Sequence, residues 1–396
     1  VVLLLLCFVN AYRICSIEKH HKNKNNYMAK PKSSKKEKSF FSDKDLQFLK
    51  TYLNNASPTG FEAEGQKIWL DFIKPSIDEY HVDNYGSVYG VINPDAPFKV
   101  VIEAHADEIS WFVSYITSDG LIYVKRNGGS DHQIAPSKRV WIHTDSGKVE
   151  AVFGWPAIHT RSAGKEKVPA LENIFLDCGC TSKDEVAKLG IYPGCVITFQ
   201  DEFFVLNDRY FVGRALDNRI GGFMIAKVAH LLKENKAKLP FGLYIVNAVQ
   251  EEIGLRGAEM MAHTISPNCA IITDVAHDTT TPMIDKIVEG EYKCGDGPML
   301  TVGPAVHQKL LKHIKTTADK NKLPYQMDAA SRSTGTDTDA FAYSKGGVPS
   351  ALISLPLRYM HTTVEMVHKK DVENVIKLIY ESLLGLSPKF DFKYLK

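Results

Sequence analysis

The stretch "FGLYIVNAVQEEIGLRG", residues 241–257, starts as an apolar run and stops on two adjacent glutamates. The run has strand length and reads as a buried strand. Neighbouring side chains on a strand point to opposite faces, so Glu251 and Glu252 cannot share one solvated face. Two carboxylates where a buried strand stops are costly unless something pairs with them.

Working outward, an α/β rhythm extends from residue 211. "NRIGGFMIAKVAHLLKEN" (218–235) sets Ile220, Phe223, Met224, Val228, Leu231 and Leu232 on one helical face. After the 241–249 run come a helix at "GAEMMAHTI", a strand at "CAIITDV" and a helix at "AVHQKLLKHIKTTADKN". A strand at "SALISL" and a closing helix at "KKDVENVIKLIYESLLGL" follow. Upstream, "SDKDLQFLKTYLNN" and "EAEGQKIWLDFIKPSI" read as helices, and "FKVVIEAHAD" as a short buried strand. Alternating strands and helices imply a largely parallel or mixed sheet covered on both faces.

Residues 109–210 differ. "WFVSYI", "LIYVKR", "RVWIHT", "KVEAVFGW", "NIFLDCG", "CVITFQ" and "RYFVGR" are short β-rich runs separated by Gly, Asp, Asn and Pro. That pattern indicates a small antiparallel barrel or sandwich, with one short helix near "SKDEVAKLG". The expected layout is an α/β domain over 42–108 and 211–390, interrupted by a β domain over 109–210.

The chain has 396 residues, 44% apolar, enough for such an arrangement. A net charge of +2 gives no reason to expect a nucleic-acid partner. The basic excess is local, in "EKHHKNKNNYMAKPKSSKKEK" (18–38), which lacks the apolar side chains a fold needs. Before it, "VVLLLLCFVN" is too short to span a bilayer but matches the apolar core of a secretory signal, with Val9-Asn10-Ala11 as a cleavage site. Residues 1–41 are therefore expected to be a leader, routing the chain to the secretory pathway or a plastid-type organelle and leaving no membrane span in the mature form. The alternative is a start at Met28 and a cytoplasmic product. The seven cysteines are scattered without a CxxC pair, so neither a thiolate metal site nor a disulfide framework is expected.

Chemistry-bearing side chains gather at the strand ends. "VVIEAHAD" delivers His105 and Asp107, "QEE" delivers Glu251 and Glu252, and "AIITD" delivers Asp274. "ALISLPLRYMH" delivers His361, and Asp217 opens the long helix. In open α/β sheets, sites form beyond the carboxyl ends of the strands. Two histidines and three or four carboxylates exceed what one zinc ion takes, but suit two divalent ions sharing a carboxylate. Imidazole and carboxylate without thiolate suit Zn²⁺, Co²⁺ or Mn²⁺. One carboxylate is then left to act as a base toward metal-activated water. Glu252 can ligate while Glu251 faces the substrate as that base.

"HADEIS", "GRALDNRIGG", "AVQEEIGLRGA", "ITDV" and "RYMHTTVE" resemble, in order, the signatures of the TET-type di-metal aminopeptidases. That family includes glutamyl, leucyl, lysyl and deblocking aminopeptidases that form tetrahedral particles. The resemblance runs from about residue 43 to 388. It implies an α/β catalytic domain of the di-zinc exopeptidase type, with a mixed sheet and an inserted β-barrel that serves dimerisation. It implies that His105 and Asp274 bind one metal, Glu252 and His361 the other, and that Asp217 bridges them. Glu251 would be the base, and Asp107 would orient His105 through its other nitrogen. It further implies a cis peptide after Asp217, short peptide substrates and a tetrahedral dodecamer. "HADEIS" differs slightly from the family's usual "HMDEIG", without touching the ligand or its partner. The rival reading is another di-metal amide hydrolase, an acylase or carboxypeptidase. A glycosidase would use paired carboxylates but not two placed histidines.

Trp111, Trp141, Trp155 and Phe153, with unprotected strand edges, are expected to favour association of the β segment. Asp337 and Asp339 in "TGTDTDA" are expected either to cap the next helix or to line a pocket. Arg358 is expected to position a substrate carbonyl or to pair with an acid. His132, His143, His159, His307 and His313 have no matched partners and read as ordinary histidines.

Overall fold

The computed structural model describes residues 39–395 save Ala163 and Lys165, and the leader expected over 1–41 lies almost wholly outside the described residues. Four parallel strands form the centre of a mixed sheet. Gly242–Ala248 pairs with Lys99–His105, which pairs with Cys269–His277, which pairs with Ser350–Arg358. All seven residues of Gly242–Ala248 are buried, as expected of a strand covered on both faces. Antiparallel strands extend the sheet. Val88–Ile92 and Glu79–Val82 lie on one side, and Glu365–His368, Tyr210–Gly213 and Phe204–Leu206 on the other. Met299–Val302 and Gln326–Ala329 branch from Ser350–Arg358.

Register brings the strand ends level. Ala248 stands opposite His105, and Ile272 opposite Glu103, so Asp274 falls in line with His105. Ser354 stands opposite Asp274. The two faces of the Lys99–His105 strand carry different neighbours. Ala104 faces the helix Leu216–Glu234 so closely that a Cβ on Gly221 would come within 2.8 Å of the alanine Cβ. Glu103, on the opposite face, meets Asp337 at the start of the helix Asp337–Ala342. The Leu216–Glu234 helix is buried almost all round because it lies between the sheet and the helices Asp43–Asn54, Ala63–Ile73 and Lys369–Gly385. Ser42 caps the first of these with a reciprocal Ser42–Asp45 pair.

Between Lys99–His105 and the strand Tyr210–Gly213, six strands close into a barrel. In ring order they are Ser110–Ile116, Ile122–Asn127, Phe175–Asp177, Gly147–Gly154, Arg139–Thr144 and Val196–Phe199. Two expectations are corrected here. "RYFVGR" is not a barrel strand: Tyr210–Gly213 pairs with Glu365–His368 in the large sheet. The barrel does not expose unprotected edges, because Val196–Phe199 pairs back onto Ser110–Ile116. Three of the four named aromatics belong to the barrel's interior, whereas Trp141 lies outside that core and is half-buried. Trp111 and Phe153 are fully buried in the barrel core with rings 5.8 Å apart, and Trp155 packs against that core.

Among the described residues no helix is long and apolar enough to cross a membrane. The five described cysteines are free.

Candidate metal centre

The segments that leave the central strands on the level of His105 converge. His105 ends its strand fully buried. After Ala248 the chain turns through Gln250, at positive φ, into a short 3₁₀ turn, Glu251–Ile253. The turn, rather than a continued strand, is what aims the two glutamates differently. Asp217 stands at the mouth of the long helix, where backbone angles are not yet helical, and the Asp217–Asn218 peptide is cis, as expected. His361 follows Ser350–Arg358 after a tight loop with Tyr359 and His361 both at positive φ.

The two oxygens of Asp217 face different imidazoles. Oδ1 lies 3.2 Å from His105 Nε2, and Oδ2 lies 3.3 Å from His361 Nε2. Asp274 Oδ1 is 3.8 Å from His105 Nε2, and Glu252 Oε2 is 3.5 Å from His361 Nε2. Glu251 Oε2 reaches to 3.9 Å from His105 Nε2. Three overlapping sets have ligand atoms within 4.8 Å of one another: His105, Asp217 and Asp274; His105, Glu251 and Glu252; Asp217, Glu252 and His361.

The electrostatics call for cations. Burial, with Asp274, Asp337 and Asp217 nearby, pushes Glu251 up to about 10 against the pull of His105. Burial and Asp217 push Glu252 well above the usual carboxylate range, and burial pushes Asp274 up to about 7. Burial opposes the charge on Asp217 as well, but His105 and His361 outweigh it and hold that carboxyl low. Burial lowers both imidazoles, yet the carboxylates around them raise His105 well above its ordinary value and raise His361 too. Glu252 Oε1 is buried with no hydrogen-bond partner. Four crowded carboxylates that accept and do not donate cannot all stay ionised without positive charge among them. The donor set of imidazole nitrogen and carboxylate oxygen fits borderline or hard divalent ions.

The surrounding shell is built in detail. Asp107 is fully buried, with Oδ1 3.4 Å from His105 Nδ1. It also accepts the backbone N–H of Glu251 at 3.0 Å and of Glu252 at 3.2 Å, and the Thr59 hydroxyl at 2.8 Å. Asp107 therefore holds the glutamate turn as well as facing the histidine. Glu62 secures the same turn by accepting the N–H groups of Gly60 and Gln250. Burial, then Asp107, pushes Glu62 up to about 8.

Sequence reasoning missed two residues. Glu365 is buried and accepts from the backbone N–H of Asp217 at 3.0 Å and of His361 at 2.8 Å. The signal was present, since Glu365 closes the motif "RYMHTTVE". Gly129, in the loop after the barrel strand Ile122–Asn127, accepts from His361 Nδ1 at 3.2 Å. Nothing in its local sequence marks that contact, because 232 residues separate the partners.

Other expectations resolve plainly. Thr336, not an aspartate, caps the helix Asp337–Ala342. Asp339 accepts from the N–H groups of Thr334 and Gly335, and Asp337 is buried against Glu103. Arg358 pairs with Asp278 at 2.8 Å. His143 is satisfied by Thr198, and His313 by the Ser382 carbonyl.

Residues 86–378 match the family described as M42 glutamyl aminopeptidase. The chain is 32% identical to the lysyl aminopeptidase of Pyrococcus furiosus over 347 residues, 87% of this chain and 98% of that protein. Among solved structures it resembles a TET aminopeptidase from a marine sediment Thaumarchaeota archaeon. That match has 29% identity and a TM-score of 0.83, and covers 88% of this chain and 98% of the other. It also resembles the Pyrococcus horikoshii TET1 peptidase, which assembles into a tetrahedron or a large octahedral shell. There the identity is 25% and the TM-score 0.77, covering 86% of this chain and all of the other (100%).

Proposed function

The chain belongs to the M42 glutamyl aminopeptidase family, and on that premise we propose how its residues share the work. It is a metal-dependent aminopeptidase, a hydrolase of peptide bonds. The alternative of an acylase or carboxypeptidase gains no support from its relatives. Two divalent ions, Zn²⁺, Co²⁺ or Mn²⁺, are assigned to the centre. His105 and Asp274 would hold one, Glu252 and His361 would hold the other, and Asp217 would serve both. The observation that carries this reading is Asp217, whose two oxygens each face a different histidine at 3.2 and 3.3 Å.

Bound divalent ions supply Lewis-acid polarisation of the scissile carbonyl and acidify the attacking water. Glu251, ionised once the cluster's charge is compensated, would take a proton from the attacking water and return it to the leaving amine. Asp107 orients the Glu251 turn through its backbone N–H and faces the far nitrogen of His105. Short peptides are the assigned substrates and a tetrahedral dodecamer the assigned assembly, supported by the assemblies of the structural relatives. The barrel segment is assigned to contacts between subunits. The apolar and basic stretches before residue 39 support routing to the secretory pathway or a plastid-type organelle.

The test is hydrolysis of a panel of aminoacyl fluorogenic amides by chelator-treated protein, with Zn²⁺, Co²⁺ or Mn²⁺ returned separately. Turnover should vanish on stripping and return with metal. Full activity in metal-free protein would sink the reading.

A further inference from the structure

The cavity that contains the candidate metal centre continues past it. It has a volume of about 350 Å³, and Tyr292, Met299, Asp328, Thr334 and Glu289 also line it. No lysine or arginine lines it. On the metal reading above, the charges of Asp217, Glu251, Glu252 and Asp274 are offset by two divalent ions. Glu289 and Asp328 then remain as uncompensated negative charge in the same cavity. Lys286 pairs with Glu291, Lys293 with Asp296 and Arg358 with Asp278, and Arg332, four residues after Asp328, is exposed and is not among the residues that line the cavity.

Asp328 is positioned rather than loose. Its Oδ1 accepts the Tyr292 hydroxyl at 2.8 Å and its Oδ2 accepts the Thr301 hydroxyl at 3.3 Å. Both donors are neutral, so they orient the carboxylate and leave its charge intact. An ionised carboxylate has about four acceptor positions, so sites remain for a charged donor.

Strand register indicates which part of a substrate reaches it. Asp274 stands opposite Ser354, Ser354 opposite Met299, and Met299 opposite Gln326, two residues before Asp328. Three strand spacings put the Asp328 strand about 14 Å from the metal-ligand strand, Cα to Cα. The α-amino group of a bound peptide lies beside the scissile carbonyl, close to the metals. The carboxylate of Asp328 is instead placed to meet the far end of a long side chain. Met299 and the ring of Tyr292 offer apolar flanks for its methylene stem.

We propose that this cavity selects peptides with a long basic N-terminal residue, lysine or arginine, and that Asp328 is the charge that recognises it. Glu289, an exposed residue of the same lining, adds to the field. This rests on the aminopeptidase reading and deepens it.

The experiment uses the metal-loaded full chain and measures kcat/KM for Lys-, Arg-, Leu- and Glu- fluorogenic amides. A charge-assisted hydrogen bond corresponds to about 10–10²-fold, so lysyl and arginyl substrates should lead leucyl by that factor. In Asp328→Asn the Lys-to-Leu ratio should collapse by a similar factor, chiefly through KM for the lysyl substrate. Asp328→Lys should raise the Glu-to-Lys ratio above that of the wild type, a gain that misfolding cannot imitate. Metal content and particle mass of each variant separate lost recognition from lost fold. A wild-type enzyme that prefers leucyl or glutamyl substrates overturns the inference while leaving the aminopeptidase reading intact. So does a Lys-to-Leu ratio unchanged in Asp328→Asn. Hydrolysis of none of the four overturns that reading and the inference together.

Discussion

Glu251 and Glu252 are chemically identical neighbours with different surroundings. Glu252 Oε2 stands 3.5 Å from His361 Nε2, while Glu251 Oε2 stands 3.9 Å from His105 Nε2, and both glutamates line the cavity. Glu251→Gln should therefore lower turnover on the order of 10²–10⁴-fold and leave bound metal unchanged by elemental analysis. Loss of metal would instead make Glu251 a ligand. Glu365 acts one layer out. It holds the backbone of Asp217 and of His361 at once, so Glu365→Ala leaves one buried and one part-buried N–H group without a partner. The buried one costs about 1–3 kcal/mol. Metal affinity should fall about 10–100-fold, measurable by titration against a competing chelator. An unchanged affinity would confine Glu365 to a packing role.

Loops and turns set these residues in place, and they can be tested as elements. The Gly129 loop presses on His361 closely enough that an added Cβ would lie 2.6 Å from both Cε1 and Nδ1 of the ring. Gly129→Ala should displace the imidazole and lower metal content, with circular dichroism unchanged. Retention of full metal content would show that the loop yields instead. At the far end of the Ser350–Arg358 strand, Asp278 ties that strand to the segment leading to the cavity. Burial works against its charge, but the Thr280 hydroxyl, the N–H groups of Cys294 and Thr280, and Arg358 together hold it at about 2. An unfolded aspartate titrates near about 3.9, so this depressed value stabilises the fold fully above about pH 4. The contribution is lost as pH falls toward 2. Acid unfolding of the wild type should steepen across that window, and Asp278→Asn should flatten the slope there. Identical slopes would discount the network.

At the scale of the whole molecule, the closed barrel changes the argument for assembly. Open edges no longer support it, because the ring is closed, and Trp111 and Phe153 fill the interior, which leaves Trp141 alone of the named aromatics outside the core. The expected dodecamer now rests on likeness to proteins that form such particles. Light scattering of metal-loaded protein lacking residues 1–38 should give a mass near twelve chains. A mass no larger than one chain, 44.2 kDa for all 396 residues, would refute it.

The sequence by itself determined the α/β rhythm, the β-rich segment and the candidate cluster of His105, Asp217, Glu251, Glu252, Asp274 and His361. Those features are local: a buried strand must be apolar along its length, and a ligand must be His, Asp or Glu at its end. His105, Asp217, Glu252, Asp274 and His361 were legible because each stands where an apolar run stops or a helix begins. Only the tertiary structure decided the rest. The strands Glu79–Val82 and Val88–Ile92 went unrecognised because they are short, and the first is exposed along its whole length. "RYFVGR" joined the sheet instead of the barrel because a short β run carries no mark of its partner, and pairing with Glu365–His368 links positions more than 150 residues apart. Gly129 against His361, and Asp328 three strands from Asp274, are likewise products of register and loop closure. Such contacts depend on where distant segments meet, which no local pattern encodes.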